Sequence, residues 1–86
     1  MTPEQCRAAR ALLDWTQDEL AAHAEVSRST VRGFEGGQHD LQRATTAAIR
    51  RALESGGVIF LDAEDDCGPG VRLAGAGVEE DEEPGG

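Results

Sequence analysis

The segment that decides the fold runs from Thr16 to Gly37 and reads TQDELAAHAEVSRSTVRGFEGG. Thr16 and Glu19 have the spacing of a capping box, which marks the start of one helix. Ser27 is a favourable N-cap for a second helix, and the glycine pair Gly36-Gly37 ends it. The segment therefore predicts two short helices joined by a tight turn.

The sequence on either side predicts two more helices. Thr2, Pro3 and Gln5 combine a capping box with proline at the first helical position, and we expect this helix to end near Asp14. A further helix is predicted over about residues 44–54 because apolar residues recur there at helical spacing. The apolar stripes of these two helices consist of Cys6, Ala9, Leu12 and Leu13, and of Ala48, Ile49, Ala52 and Leu53.

A short β segment follows the helices. Val58–Leu61 predicts one strand and Val71–Leu73 a second, with a turn-rich loop between them. Since an isolated hairpin is only marginally stable in water, it must pack on the helices or pair with a second subunit. The predicted fold class is mainly α, with a four-helix domain over residues 1–56, a two-stranded extension over 57–73 and a disordered acidic tail over 74–86.

The second helix of the opening segment has two distinct faces. Val31 and Phe34 are predicted to point inward, whereas Arg28, Ser29 and Arg32 lie on the opposite face. Alanines in the preceding helix allow the two helices to cross closely. This is the layout of a helix-turn-helix DNA reader, whose second helix enters the major groove.

The residues of this segment also resemble a known family. The matching positions are Thr16, Gln17, Glu19, Leu20, Ala21, Ala24, Val26, Ser27, Thr30, Val31, Arg32, Phe34, Glu35 and Gly37. In residue type and spacing they resemble the Cro/repressor-type (XRE) helix-turn-helix family, over roughly residues 3–56. The resemblance implies a Cro/repressor-like fold and a transcription regulator that binds double-stranded DNA.

The resemblance also implies roles for individual residues. DNA base contacts are implied for Arg28, Ser29 and Arg32. DNA phosphate contacts are implied for Gln17, Ser27, Gln38 and Arg43. Glu35 matches a family position that pairs with an arginine of the first helix, and the candidate for this structural ion pair is Arg10.

Two positions depart from the family pattern. Glu25 stands in the turn where the family usually has glycine, so a left-handed backbone there costs on the order of 1 kcal/mol, or the turn differs slightly. Gly33 lies within the second helix of the motif and offers no side chain for base contact. Both departures concern the details of the site and leave the predicted fold unchanged.

The charge of the chain is divided unevenly along its length. The net charge is −9, but residues 1–54 hold seven arginines against eight acidic residues. The acidity therefore belongs mainly to the last third, including the run Glu79–Glu83, and the N-terminal domain can still present a basic face. We interpret the tail either as a solubilising segment or as a regulatory one. In the second case it competes with DNA for the arginine face or binds a basic partner such as RNA polymerase.

Other classes of function find little support in the sequence. Cys6 and Cys67 form no metal-ligand spacing with the two histidines, and we expect free thiols, no metal and no cofactor. No nucleophile–base pair or phosphate-binding glycine loop is present, so we do not expect an enzyme. The longest apolar run, Val58–Leu61, is too short to span a membrane, and we expect a cytoplasmic, nucleoid-associated protein.

These observations predict a sequence-specific transcription regulator that acts as a homodimer on an inverted-repeat operator. The apolar surface left over after the helices are packed predicts the dimer contact at Ile49, Val58 and Phe60. The alternative is an antitoxin or an RNA polymerase-binding adaptor, whose main partner is a protein. Co-purification of a basic protein would favour this alternative.

Overall fold

A computed structural model describes residues 1–38 and 41–75 of the chain. Over these residues the fold is mainly α, with four helices followed by a two-stranded antiparallel sheet. The elements are α1 (Pro3–Leu13), α2 (Gln17–Ala24), α3 (Arg28–Glu35), α4 (Arg43–Ser55), β1 (Val58–Leu61) and β2 (Gly70–Leu73). An acidic tail was predicted over residues 74–86, of which residues 76–86 lie outside the described part.

The predicted helix starts are confirmed by their capping geometry. Thr2 Oγ1 accepts a hydrogen bond from the Gln5 backbone N–H at 3.0 Å, and Gln5 Oε1 accepts one from Thr2 at 2.8 Å. Thr16 and Glu19 make the same reciprocal pair at 3.0 and 2.8 Å. These side chains satisfy N–H groups that a helix leaves unpaired at its start, which explains why α1 and α2 begin where they do.

Two helices end on residues with a left-handed backbone. Asp14 ends α1 with φ of 59°, and Glu25 ends α2 with φ of 60°. The turn between α2 and α3 therefore has a left-handed geometry that glycine favours, and Glu25 adopts it at a steric cost. The Val26 N–H donates to the Ala21 carbonyl at 3.0 Å and closes the end of α2.

One hydrophobic core is shared by all four helices and the first strand. Its buried apolar members are Cys6, Ala9, Leu20, Ala21, Ala24, Val31, Phe34, Ile49, Ala52, Leu53 and Val58. The predicted dimer contact includes two residues of this set, Ile49 and Val58, and it stays a prediction. Ile49 is fully buried and Val58 is 3% exposed, so both side chains pack within the core of a single chain. Phe60 is half-buried against the same core, and the Arg50 guanidinium lies 4.8 Å above its ring.

The hairpin packs on the helices. Val58 pairs with Leu73 and Leu61 with Gly70, which makes β2 begin one residue earlier than predicted. The Gln5 side chain of α1 donates hydrogen bonds to the carbonyls of Leu61 (3.2 Å) and Gly70 (3.0 Å), and so joins both strands to the helix. The two strands thus gain the tertiary support that an isolated hairpin lacks.

Two further observations bound the kind of protein this is. None of the helices in the described residues is both long and apolar enough to cross a membrane. Both cysteines are free thiols, Cys6 in the core and Cys67 exposed in the loop between the strands.

Candidate nucleic-acid interface

The exposed face of α3 carries the three residues predicted to contact bases. Arg28, Ser29 and Arg32 are all exposed, whereas Val31 and Phe34 on the same helix are buried. Two of the three are arginines, whose guanidinium groups can bind guanine edges or phosphates in a bidentate manner. The structure therefore brings the three predicted base-contact residues together on one helix surface.

The start of α3 is held by its own cap. Ser27 Oγ accepts from the Thr30 backbone N–H at 3.1 Å and lies 2.8 Å from Thr30 Oγ1. A phosphate contact by Ser27 therefore has to share a hydroxyl that already closes the first turn. That contact remains a prediction, as does the one assigned to Arg43, which is exposed at the first position of α4.

Arg28 has one acidic neighbour. Its Nε atom lies 3.8 Å from Asp18 Oδ1, and the two side chains are 56% and 68% exposed. An exposed pair at this distance contributes little free energy, so Arg28 can exchange Asp18 for another anion at small cost. Asp18 also places a negative charge at the first turn of α2, near the phosphate contact that the resemblance implies for Gln17.

A buried polar cluster lies behind this face, centred on Glu35 of α3. Arg10 of α1 donates from Nε to Glu35 Oε2 at 2.8 Å and from Nη2 to Oε1 at 2.9 Å. Gln17 Nε2 donates to Oε1 at 3.0 Å, and Cys6 Sγ donates to Oε2 at 3.4 Å. The structure contains the ion pair that the resemblance implied, and it adds two donors that sequence reasoning missed.

The protonation state of this cluster follows from its surroundings. Burial alone would raise the pKa of Glu35, but the hydrogen bonds from Arg10, Gln17 and Cys6 outweigh it and hold that pKa below its ordinary value. Burial, together with the neighbouring carboxylate, raises the pKa of Cys6 to about 12. Glu35 is therefore a carboxylate and Cys6 a thiol at neutral pH.

The cluster holds three helices in a defined arrangement. Arg7 donates to the Glu35 carbonyl at the end of α3, and Arg10 Nη1 donates to the Trp15 carbonyl ahead of α2 at 3.0 Å. A cation next to the last carbonyls of a helix is favourable, because these groups carry its partial negative charge. Residues of α1 thus fasten both helices of the opening segment.

Gln17 has a different principal contact from the one predicted. Its side-chain nitrogen donates to Glu35, and the residue is half-buried. Its role in the structure is to join α2 to α3, and a phosphate contact by Gln17 stays a prediction. Gln38 is exposed and lies against Gly33, a contact that sequence reasoning also missed.

Residues 1–38 and 41–75 contain no group of three or more His, Cys, Asp or Glu side chains that could hold a metal ion. Trp15 stacks on His23 with ring centroids 4.1 Å apart and planes at 6°. This stack, which the sequence did not indicate, gives His23 a packing partner on the surface.

Comparison with known proteins does not assign this chain to a family. No protein-family model matches the chain, and no curated protein is significantly similar to it.

Proposed function

We propose that this protein is a sequence-specific regulator of transcription that binds double-stranded DNA through α3, in a Cro/repressor-like helix-turn-helix arrangement. The observation that carries the proposal is the exposed triad Arg28, Ser29 and Arg32 on a helix whose opposite face is buried. A reading helix must be rigid and must present polar groups to the groove.

The buried cluster supports the proposal because it supplies this rigidity. Glu35 at the end of α3 receives hydrogen bonds from α1 and α2, so the orientation of α3 is set by two other helices. The charge distribution supports it as well, since the excess of acidic over basic residues lies mainly in the last third of the chain. A basic helix face on a near-neutral domain is sufficient for an electrostatic footprint.

The proposal includes a homodimer on an inverted repeat. With Ile49 and Val58 in the core, the exposed large apolar residues of the hairpin are Leu73 of β2, which is 49% exposed, and, in β1, Ile59 and Leu61, each 38% exposed. Ile59 and Leu61 alternate with Val58 and Phe60 along β1 and therefore lie on the outer face of the sheet. We assign the dimer contact to this outer face.

The deciding experiment is selection of bound sites from random double-stranded DNA, followed by affinity measurements on the selected operator. Arg28→Ala should weaken operator binding by roughly 1–3 kcal/mol and have little effect on random DNA. Arg51→Ala is the matched control, because Arg51 is an exposed arginine of α4.

Three results would count against this function. Equal losses of affinity on operator and random DNA would indicate that Arg28 contacts only phosphates. An effect of Arg51→Ala as large as that of Arg28→Ala would remove the distinction between the two helices. Failure of the folded protein to select any motif would favour the alternative, a module whose main partner is another protein.

A further inference from the structure

The end of α3 brings a loop residue back onto the helix surface. The Gln38 N–H donates to the Gly33 carbonyl at 2.9 Å, and the Gly37 N–H donates to the Phe34 carbonyl at 3.0 Å. Gly37 has φ of 95°. These are the two hydrogen bonds and the left-handed residue of a Schellman motif, in which the second residue past the cap lies over the third-last helical residue.

In most such motifs the two residues in contact are apolar. Here they are Gln38 and Gly33. A Cβ atom built on Gly33 would overlap Gln38 Oε1 and lie 3.2 Å from Gln38 Cδ. The carboxamide of Gln38 therefore occupies the space that a side chain at position 33 would fill.

Position 33 lies beside the triad. It follows Arg32 directly, and it is one helical turn, or about 6 Å, beyond Ser29. The Gln38 carboxamide is consequently placed next to the residues proposed to contact bases, although Gln38 belongs to the loop after α3. The family resemblance implied a phosphate contact for this residue.

We propose that Gln38 supplies the base-reading group that Gly33 lacks, and that adenine is the base it recognises. This inference rests on the proposed function. A carboxamide offers one acceptor and one donor group side by side, and this pattern matches N6 and N7 of adenine in the major groove. Gly33 is then required, because any larger residue displaces the reading group.

The test compares sites selected by the wild-type protein with those selected by Gln38→Ala, Gly33→Ala and the double variant. We expect both single variants to lose about ten-fold or more in discrimination at one and the same A·T position, with the other positions unchanged. The double variant should lose no more than either single variant, since both changes remove the same group. Gln42→Ala is the control, because Gln42 is an exposed glutamine that makes no side-chain capping bond.

A loss of stability should not account for the effect of Gly33→Ala in this test. The atom displaced in Gly33→Ala is the far end of a flexible side chain, and alanine is the better helix former, so the variant should unfold at the same temperature or higher. Circular dichroism during heating checks this.

Two outcomes overturn the inference while leaving the proposed function standing. One is an equal loss of affinity by Gln38→Ala on operator and random DNA, which identifies a phosphate contact. The other is a loss of discrimination at different positions in Gln38→Ala and Gly33→Ala. Failure of the wild-type protein to select any motif removes the proposed function and this inference together, and it is seen before any variant is compared.

Discussion

Arg10 and Glu35 form a bidentate ion pair whose two members differ in their access to water. The Glu35 side chain is 4% exposed, whereas that of Arg10 is 23% exposed. If Glu35 is lost, Arg10 can still reach solvent. If Arg10 is lost, the carboxylate stays buried, and the side chains that still donate to its oxygens, Gln17 and Cys6, are neutral.

This asymmetry predicts the stability of variants. Arg10→Met should lower the free energy of unfolding by about 3–5 kcal/mol, because it leaves an uncompensated buried charge. The double variant Arg10→Met/Glu35→Leu should be more stable than Arg10→Met alone, since it buries no charge. Urea denaturation of the wild type, Arg10→Met, Glu35→Leu and the double variant measures these differences. A double variant that loses the sum of the two single losses would contradict the coupling.

The same pair predicts how stability depends on pH. The pKa of Glu35 is held below its ordinary value of 4.5, so Glu35 stays ionised to a lower pH in the folded protein than in the unfolded chain. Its contribution is fully present above about pH 4.5 and is lost as the pH falls through the lower, folded-state pKa. Thermal unfolding between pH 3 and 7 should show a weaker acid destabilisation in Glu35→Gln than in the wild type. Equal slopes would argue that other carboxylates cause it.

The left-handed Glu25 predicts a stabilising substitution. Glu25 is exposed and has φ of 60°, a conformation that glycine adopts without steric cost. Glu25→Gly should therefore raise the free energy of unfolding by about 1 kcal/mol. Ala22→Gly, at an exposed position inside α2, should lower it by about as much. A loss of stability in Glu25→Gly would mean that the Glu25 side chain has a stabilising role.

Asp18 predicts an effect on DNA binding that depends on salt. Its carboxylate lies 3.8 Å from Arg28 and repels a phosphate that approaches α3. Asp18→Asn should tighten binding to random DNA several-fold at low ionic strength, and the gain should shrink at high salt. Fluorescence anisotropy over a salt series measures this, with Asp62→Asn in the exposed loop between the strands as the control. A gain independent of salt would exclude repulsion as its cause.

The outer face of the hairpin predicts a variant that separates dimerisation from folding. Leu61→Asp should increase the dimer dissociation constant at least ten-fold and leave the helical content unchanged, because the side chain is 38% exposed. Sedimentation equilibrium gives the constant. Leu12→Asp is the control, since Leu12 is an exposed leucine of α1 with 42% exposure. Phe60→Asp would not separate dimerisation from folding, because Phe60 packs against the core. An unchanged dimer in Leu61→Asp would move the contact elsewhere.

The helix boundaries could be predicted because their causes are local. Capping boxes at Thr2 and Thr16 and the N-cap at Ser27 satisfy backbone groups within a few residues, so the sequence carries the whole signal. The left-handed turn at Glu25 could be anticipated for the same reason, by comparison with the residue that such a turn favours.

The side-chain contacts between distant elements could not be predicted in the same way. Gln5 of α1 meets the hairpin 56 and 65 residues away, and nothing in its neighbourhood in the sequence marks that contact. The orientation of β1 was also hidden, because Val58–Leu61 is apolar at every position and so shows no alternation between an inner and an outer face. For this reason the sequence did not show that Val58 faces the core.

The contacts of α1 have a consequence for the spacing of DNA half-sites. Within one helix, Gln5 holds the hairpin and Arg10 holds the end of α3, and the two residues are about 8 Å apart along its axis. In a dimer joined through the hairpins, each α1 therefore fixes the distance between the subunit contact and the reading helix. The proposed dimer should tolerate the insertion of a single base pair between half-sites poorly, because hydrogen bonds from one helix connect the two surfaces.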